Sequence, residues 1–247
     1  MKHIRKSHRR STIASLGFTL MELLVVIVLV AALSAIAFYA LRRAKLGAVK
    51  VADMNNLRSL ATAAMAASSD NGGTLPYLHA AGHSSPYYLQ GPDWLESNGI
   101  YKEMCYIPRK DAEGGPPDYA WWKMFGNQTP VHYCYFAKDD PSGTSWFQRG
   151  TVVPPSRAEY RGSVPYDIIT KDRTKIFARS FSDDAWYPVL WAGISRDYRD
   201  KPHVAAVMKD GKALGVNVMY LDGSGKWVPS EDMKHRYTDS SGTKVYW

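Results

Sequence analysis

Between Leu23 and Leu41 the sequence has no charge, no proline and no glycine, and nearly every side chain is apolar. At a rise of ~1.5 Å per residue, a helix over that run crosses a bilayer core of ~30 Å. Arg42, Arg43 and Lys45 follow directly and form a cationic stop. Beyond them the all-round apolar pattern narrows to a stripe. Leu46, Val49, Asp53, Leu57, Leu60, Ala61 and Ala64 recur at three- and four-residue steps, interrupted by Asp53. Lys50, Asn55 and Arg58 fall off that stripe. The run Ser68-Ser69-Asp70-Asn71-Gly72-Gly73 then supplies a helix stop. The pattern predicts one helix over residues 18–69, in lipid over about 18–41 and packed on a domain through one face after that. The Ala-rich segment Leu60–Ala67 predicts close approach of a sheet.

The rest of the sequence, 70–247, has a different texture. Residues 74–130 are rich in proline, glycine and aromatics, with Pro76, Pro86, Pro92, Pro108, Pro116 and Pro117 favouring loops. Asp93-Trp94-Leu95-Glu96 starts a short helix on this reading, and Asp118–Phe125 holds another short element. From Pro130 the pattern turns to strands: Val131–Ala137, Val164–Thr170, Lys175–Phe181, Tyr187–Trp191 and Val204–Met208. The clearest hairpin joins Gly215–Leu221 to Lys226–Val228 through Asp222-Gly223-Ser224-Gly225, residues that accept the positive φ of a tight turn. Val216, Val218 and Tyr220 then share one face, and Asn217, Met219 and Leu221 the other. The fold class expected is α+β, a long N-terminal helix packed on a C-terminal antiparallel sheet.

The segment ahead of the span holds the most specific signal. A basic leader, residues 1–17, ends in Gly17. Phe18-Thr19-Leu20-Met21-Glu22 follows, and Leu23-Leu24-Val25-Val26 opens the apolar run. This combination resembles the type IV prepilin and type II secretion pseudopilin signal. The resemblance implies cleavage after Gly17 by a prepilin peptidase, N-methylation of Phe18, and a role for Glu22 in assembly. It implies other pseudopilin subunits, in homo- and hetero-oligomeric fibres, as partners in the inner membrane. It also implies a pilin-like fold. Many type IV pilins place a proline mid-helix where this sequence has Tyr39, which favours a pseudopilin-like helix. A second, partial resemblance lies in Gly215–Gly223. It is similar to the C-terminal ending of a large group of pseudopilin-like proteins, with Lys212 in place of their usual histidine. That likeness implies a sheet packed on the long helix and no catalytic role.

The residues themselves support a physical account. A lone carboxylate in a spanning segment costs roughly 2.5–3.5 kcal/mol at the bilayer centre and less near an end, where Glu22 lies. If cleavage frees the Phe18 amine, a neighbour's Glu22 can pair with it in a fibre; otherwise Glu22 sits among headgroups. A secretory signal peptide predicts a shorter apolar core of about 7–15 residues with a small-x-small cut site. Ala31-Ala32-Leu33-Ser34-Ala35 imitates such a site, but the run here is longer and its far end is basic.

Charge changes the picture little. The formal net charge is +8, but Lys2, Arg5, Lys6, Arg9 and Arg10 all lie in the leader. The basic balance therefore reports a targeting segment and not a nucleic-acid footprint. With the large domain following the span, the leader is placed in the cytoplasm and the domain outside, in the periplasm or beyond. Cys105 and Cys134 fall in the exported part, where an oxidising compartment permits a disulfide; two buried thiols are the alternative. Such a bridge would contribute about 3–4 kcal/mol in the chain-entropy model.

Other constellations point to no chemistry. Asp139-Asp140 and Asp183-Asp184 lie in turn-like sequence without a calcium-loop array. His79 and His83 stand in a Gly-rich loop without a partner glutamate, so no metal or cofactor is assigned. Asp222-Gly223 reads as a turn. No nucleophile elbow, P-loop or dinucleotide fingerprint is present, and the protein is read as a non-enzyme. The eight tryptophans all follow residue 93, as core or as a sticky surface. The reading is a pseudopilin-like fibre subunit. The alternatives are a membrane-anchored binding protein for a glycan or polypeptide, and a minor type IV pilin in adhesion or DNA uptake.

Overall fold

The computed structural model describes residues 18–78, 88–106, 128–137, 151–152, 180–182, 189–193, 195–198, 201–204, 207–209, 212–238 and 244–247. The leader with Gly17, His79, His83, Asp118–Phe125, Trp121-Trp122, Asp139-Asp140, Val164–Thr170, most of Lys175–Phe181 and Asp183-Asp184 lie outside them.

The protein has one long helix, α1, over Leu20–Asp70. Two compact units divide at Lys45 and Leu46. In the first, every described residue is exposed, and the apolar window of α1 is long and hydrophobic enough to cross a membrane. Ser34 is a polar residue of that run. Its hydroxyl donates to the Val30 carbonyl at 2.7 Å, so the span leaves it satisfied without water.

The second unit is α+β. From Leu46 onward α1 buries Leu57, Leu60, Ala61, Ala64 and Ala67, the spacing of one helix face. The remaining elements are β1 (Tyr88–Gln90), α2 (Pro92–Ser97), a 3-10 turn at Lys102–Met104, β2 (Gln128–Pro130), β3 (Tyr133–Tyr135), β4 (Thr151–Val152), β5 (Val189–Gly193), β6 (Ser195–Tyr198), β7 (Lys201–Val204), β8 (Val207–Lys209), β9 (Lys212–Tyr220), β10 (Gly225–Pro229), β11 (His235–Thr238) and β12 (Lys244–Tyr246). All described pairings are antiparallel. They form a two-stranded ribbon β1-β2, a central sheet β10-β9-β5-β3 with β8 also on β9, and a third sheet β4-β11-β12-β6-β7.

The central sheet is covered on both faces, which explains its sequence. Tyr133, Tyr135, Trp191 and Met219 join Leu57, Leu60 and Ala64 in one core. Cys134, Phe136, Ala192, Val216 and Val218 are also buried and alternate to the opposite face. There Phe136 packs on Trp247, ring centroids 4.4 Å apart, just beyond β12. A strand buried on both sides reads as a continuous apolar run, as Tyr133–Ala137 does.

The expected hairpin is present as β9 and β10, with Trp227 opposite Asn217. Its turn is held by Asp222, whose Oδ1 accepts from the Ser224 amide at 2.8 Å. The Ser224 side chain first, and then its amide, hold the Asp222 carboxyl below its usual range. One expectation changes. Val204–Met208 is not one strand: it holds the end of β7 and the start of β8, which belong to different sheets. The C-terminal antiparallel sheet expected is present, and among the described residues its strands pair as three sheets.

Gly215 marks the point where β9 passes from β8 to β10. Its φ is +147°, and a Cβ there would strike the Val228 carbonyl and stand 2.6 Å from Trp227 Cζ2. Gly223 has φ +79° with open space around it. Gly215→Ala is therefore expected to destabilise by ~3 kcal/mol or more through overpacking and strain. Gly223→Ala should cost about 1 kcal/mol from conformation alone. Urea unfolding of both variants in detergent, with the full-length protein, measures the difference.

Candidate functional site

Two sets of side chains stand out, one at the start of α1 and one buried midway along its second half. At the start, Phe18 is 82% exposed and Thr19 precedes the first helical residue. The Thr19 amide and hydroxyl both donate to Glu22 Oε2 at 2.9 Å. In return the Glu22 amide donates to Thr19 Oγ1 at 3.2 Å. This reciprocal arrangement is a capping box. It satisfies donors that a helix start otherwise leaves open, and it seats a negative charge at the positive end of the helix dipole. Glu22 thus has a partner within its own molecule. The signal for it, Thr-x-x-Glu ahead of an apolar run, was present in the sequence and sequence reasoning missed it.

The second set centres on Asp53, which is 1% exposed. Its Oδ1 accepts from the Tyr133 hydroxyl at 2.7 Å, and its Oδ2 accepts from Asn217 Nδ2 at 2.7 Å. Asn217 Nδ2 also donates to the Lys50 carbonyl at 2.9 Å. Asn56 Nδ2 donates to the Tyr106 carbonyl at 2.8 Å and reaches toward the Tyr133 oxygen at 3.5 Å. One carboxylate therefore ties α1 to β3 and β9 together. Among the described residues no cation pairs with it. Burial pushes the Asp53 carboxyl up to about 6, against the pull of its two hydrogen bonds. Burial first, and then the Asp53 charge, push the Tyr133 hydroxyl well above its usual range.

A groove of about 690 Å³ runs between α1, at Arg58, Thr62 and Ala66, and the turn Ser97–Gly99. Asp53 is not part of its wall, so the buried carboxylate faces no substrate space there. Among the described residues, no three His, Cys, Asp or Glu side chains gather as metal ligands.

The candidate disulfide is not formed. Cys105 and Cys134 are both buried thiols. Their backbones are close, since the His132 amide donates to the Cys105 carbonyl at 2.9 Å. However, Cys105 belongs to the helix-side core with Tyr133 and Tyr135, while Cys134, between those tyrosines on β3, takes the other face. A bridge would have to pass through the strand. Burial keeps the Cys105 thiol protonated far above its ordinary range. Gly17, the expected cleavage residue, lies outside the described residues.

No protein-family model, curated protein or solved structure matches this sequence.

The Asp53 cluster generates a pH prediction. The folded pKa, about 6, lies above the unfolded value near ~3.9. The folded state then binds the extra proton between those values, so this group's contribution is complete below about pH 4 and falls as pH rises to about 6. Its full span is on the order of 3 kcal/mol. Asp53→Asn should flatten that segment of the stability-against-pH curve, measured by denaturant unfolding across the window. Tyr133→Phe should cost about 1–3 kcal/mol by leaving a buried acceptor unserved.

Proposed function

We propose that this protein is a pseudopilin-like structural subunit, processed by a prepilin peptidase and assembled through its N-terminal helix into a type II secretion or type IV pilus-like envelope fibre. The observation that carries this reading is the unpartnered run of α1. Leu23, Leu33, Ile36, Phe38 and Leu41 are each 60% exposed or more, and the apolar window has no buried residue. Such a surface needs lipid or other helices around it. The Gly17-Phe18 junction and Glu22 stand at its start, where the resemblance implies cleavage, methylation and assembly.

The mechanism is mechanical. The leader lies in the cytoplasm, the span in the inner membrane and the domain in the periplasm. Removal of residues 1–17 frees the amine of Phe18. Inside one molecule, Glu22 is already served by Thr19. In the fibre, the amine of a neighbouring subunit competes for that carboxylate as a full positive charge, adding ion-pair attraction that the neutral donors of Thr19 do not supply. The capping box keeps Glu22 satisfied until a neighbour arrives. The β-rich unit then meets other subunits, the secretion pore or cargo.

Two measurements test this. The intact mass of the protein from native membranes should show loss of residues 1–17 and one added methyl group. A full-length mass, or a cut near Ala35, sinks the reading. Glu22→Gln separates cap from charge, because Gln serves a capping box as well as Glu does. That variant should be processed and inserted normally, yet enter the fibre at least ~tenfold less, as expected for loss of a charged pair worth ~1.5 kcal/mol or more. Normal incorporation would remove Glu22 from assembly.

A further inference from the structure

The described residues hold two Asn-Gly pairs, Asn71-Gly72 after α1 and Asn98-Gly99 after α2, and both asparagines line the groove. Each closes its helix with a left-handed glycine, Gly72 at φ +63° and Gly99 at φ +72°. Each asparagine also donates its Nδ2 to the carbonyl four residues back, Asn71 to Ala67 at 2.7 Å and Asn98 to Trp94 at 2.9 Å. The two caps differ in one bond. After α2 both bonds of a Schellman cap are made: Ile100 N–H to Leu95 at 2.8 Å, and Gly99 N–H to Glu96 at 3.0 Å. After α1 only the outer bond is made, Gly73 N–H to Ser68 at 2.8 Å. Among the described residues the Gly72 N–H donates to nothing.

The surroundings reinforce the contrast. Ile100 is fully buried, and Gly99 sits over Ala63, whose Cβ would lie 3.8 Å from an added Cβ. The α2 cap is thereby pinned to the core. Gly72 and Gly73 have open space around them, and Gly73 offers no side chain to anchor the turn. Asn71 itself is exposed.

The geometry points to Asn71 as a modification site that deamidates spontaneously through a cyclic imide, with Asn98 protected. The Gly72 amide nitrogen attacks Asn71 Cγ. A bond forms between that nitrogen and Cγ, the bond from Cγ to Nδ2 breaks, and ammonia leaves with the amide proton. Water then opens the ring at either carbonyl, leaving aspartate or isoaspartate at residue 71. No cofactor or oxidant is needed. The new carboxylate lies beside Asp70 at the negative end of the α1 dipole, where the last turn holds no basic residue. It therefore loosens that turn and adds negative charge to one wall of the groove.

The test uses the full-length protein in detergent, incubated at mildly alkaline pH and followed by peptide mapping with mass spectrometry and enzymatic isoaspartate labelling. Both pairs share the same Asn-Gly sequence, so in urea they should react at similar rates. In the folded protein, residue 71 should convert roughly tenfold faster than residue 98, as one extra hydrogen bond and its buried anchor imply. A folded-state ratio no greater than the ratio in urea overturns the proposal. No variant is needed, so misfolding cannot obscure the result.

Discussion

The carboxylate of Asp53 is out of water on a helix face that otherwise holds apolar side chains, and its donors come from two different strands. Removing such a group from water costs several kcal/mol, and the hydrogen bonds return only part of that. Its value is therefore positional. Turning α1 by one residue, or sliding it by one turn, would strand the carboxylate in the core and leave Tyr133 and Asn217 without a partner. An apolar residue at position 53 would tolerate such slips. The neighbouring contacts use the same register: the Lys50 ammonium lies 4.0 Å from the centre of the Trp227 ring, and Met54 occupies the space left by Gly225. The stretch from Lys50 to Leu57 is keyed to the β9–β10 hairpin and β3, and the aliphatic stripe after it packs where that key places it.

The helix was legible because its signals are local. Length, the cationic stop and the Gly72-Gly73 terminus are read from adjacent residues, and the observed bounds, Leu20–Asp70, differ from the expected ones by one or two positions. The β9–β10 hairpin was legible for the same reason, since its turn residues sit between its strands. Asp53 was visible only as a break in a stripe. Its partners lie 80 and 164 residues away, and a one-dimensional pattern does not show which strands arrive at a helix face. Of the candidate site, the Thr19 partnership of Glu22 was missed although its signature is local. Attention to the carboxylate as a charge obscured its role as a cap.

The strand error has a physical origin. Val204–Met208 looks like one apolar run, yet it holds the end of one strand and the beginning of another. Hydrophobicity reports burial, and both ends are strand, but pairing partners decide where a strand breaks. The cysteines teach the converse. Loop length permits a bridge, and the His132 amide, two residues before Cys134, donates to the Cys105 carbonyl. The two-residue period of β3 nevertheless sends Cys134 to the face away from Cys105. Proximity along a strand is not proximity of side chains, and the alternation that makes a two-sided core blocks the cross-link.

The polar groups along α1 follow two rules because the helix meets two environments. In the exposed apolar run, Ser34 turns back onto the Val30 carbonyl and Glu22 onto Thr19. Each is satisfied locally, as a segment in hydrocarbon would require. From Lys50 onward Thr62 still turns back, onto the Arg58 carbonyl, but a second pattern joins it. Asp53 and Asn56 reach outward to groups on other elements, and the Lys50 carbonyl accepts from Asn217. A helix designed only as an anchor has no need of outward partners, and one designed only for a soluble core has no need to expose an apolar run. The appearance of outward partners beyond Lys50 thus marks where the helix enters the core of the second unit. It agrees with the division of the protein at Lys45 and Leu46, and it follows from the chemistry of the polar residues without reference to hydrophobicity.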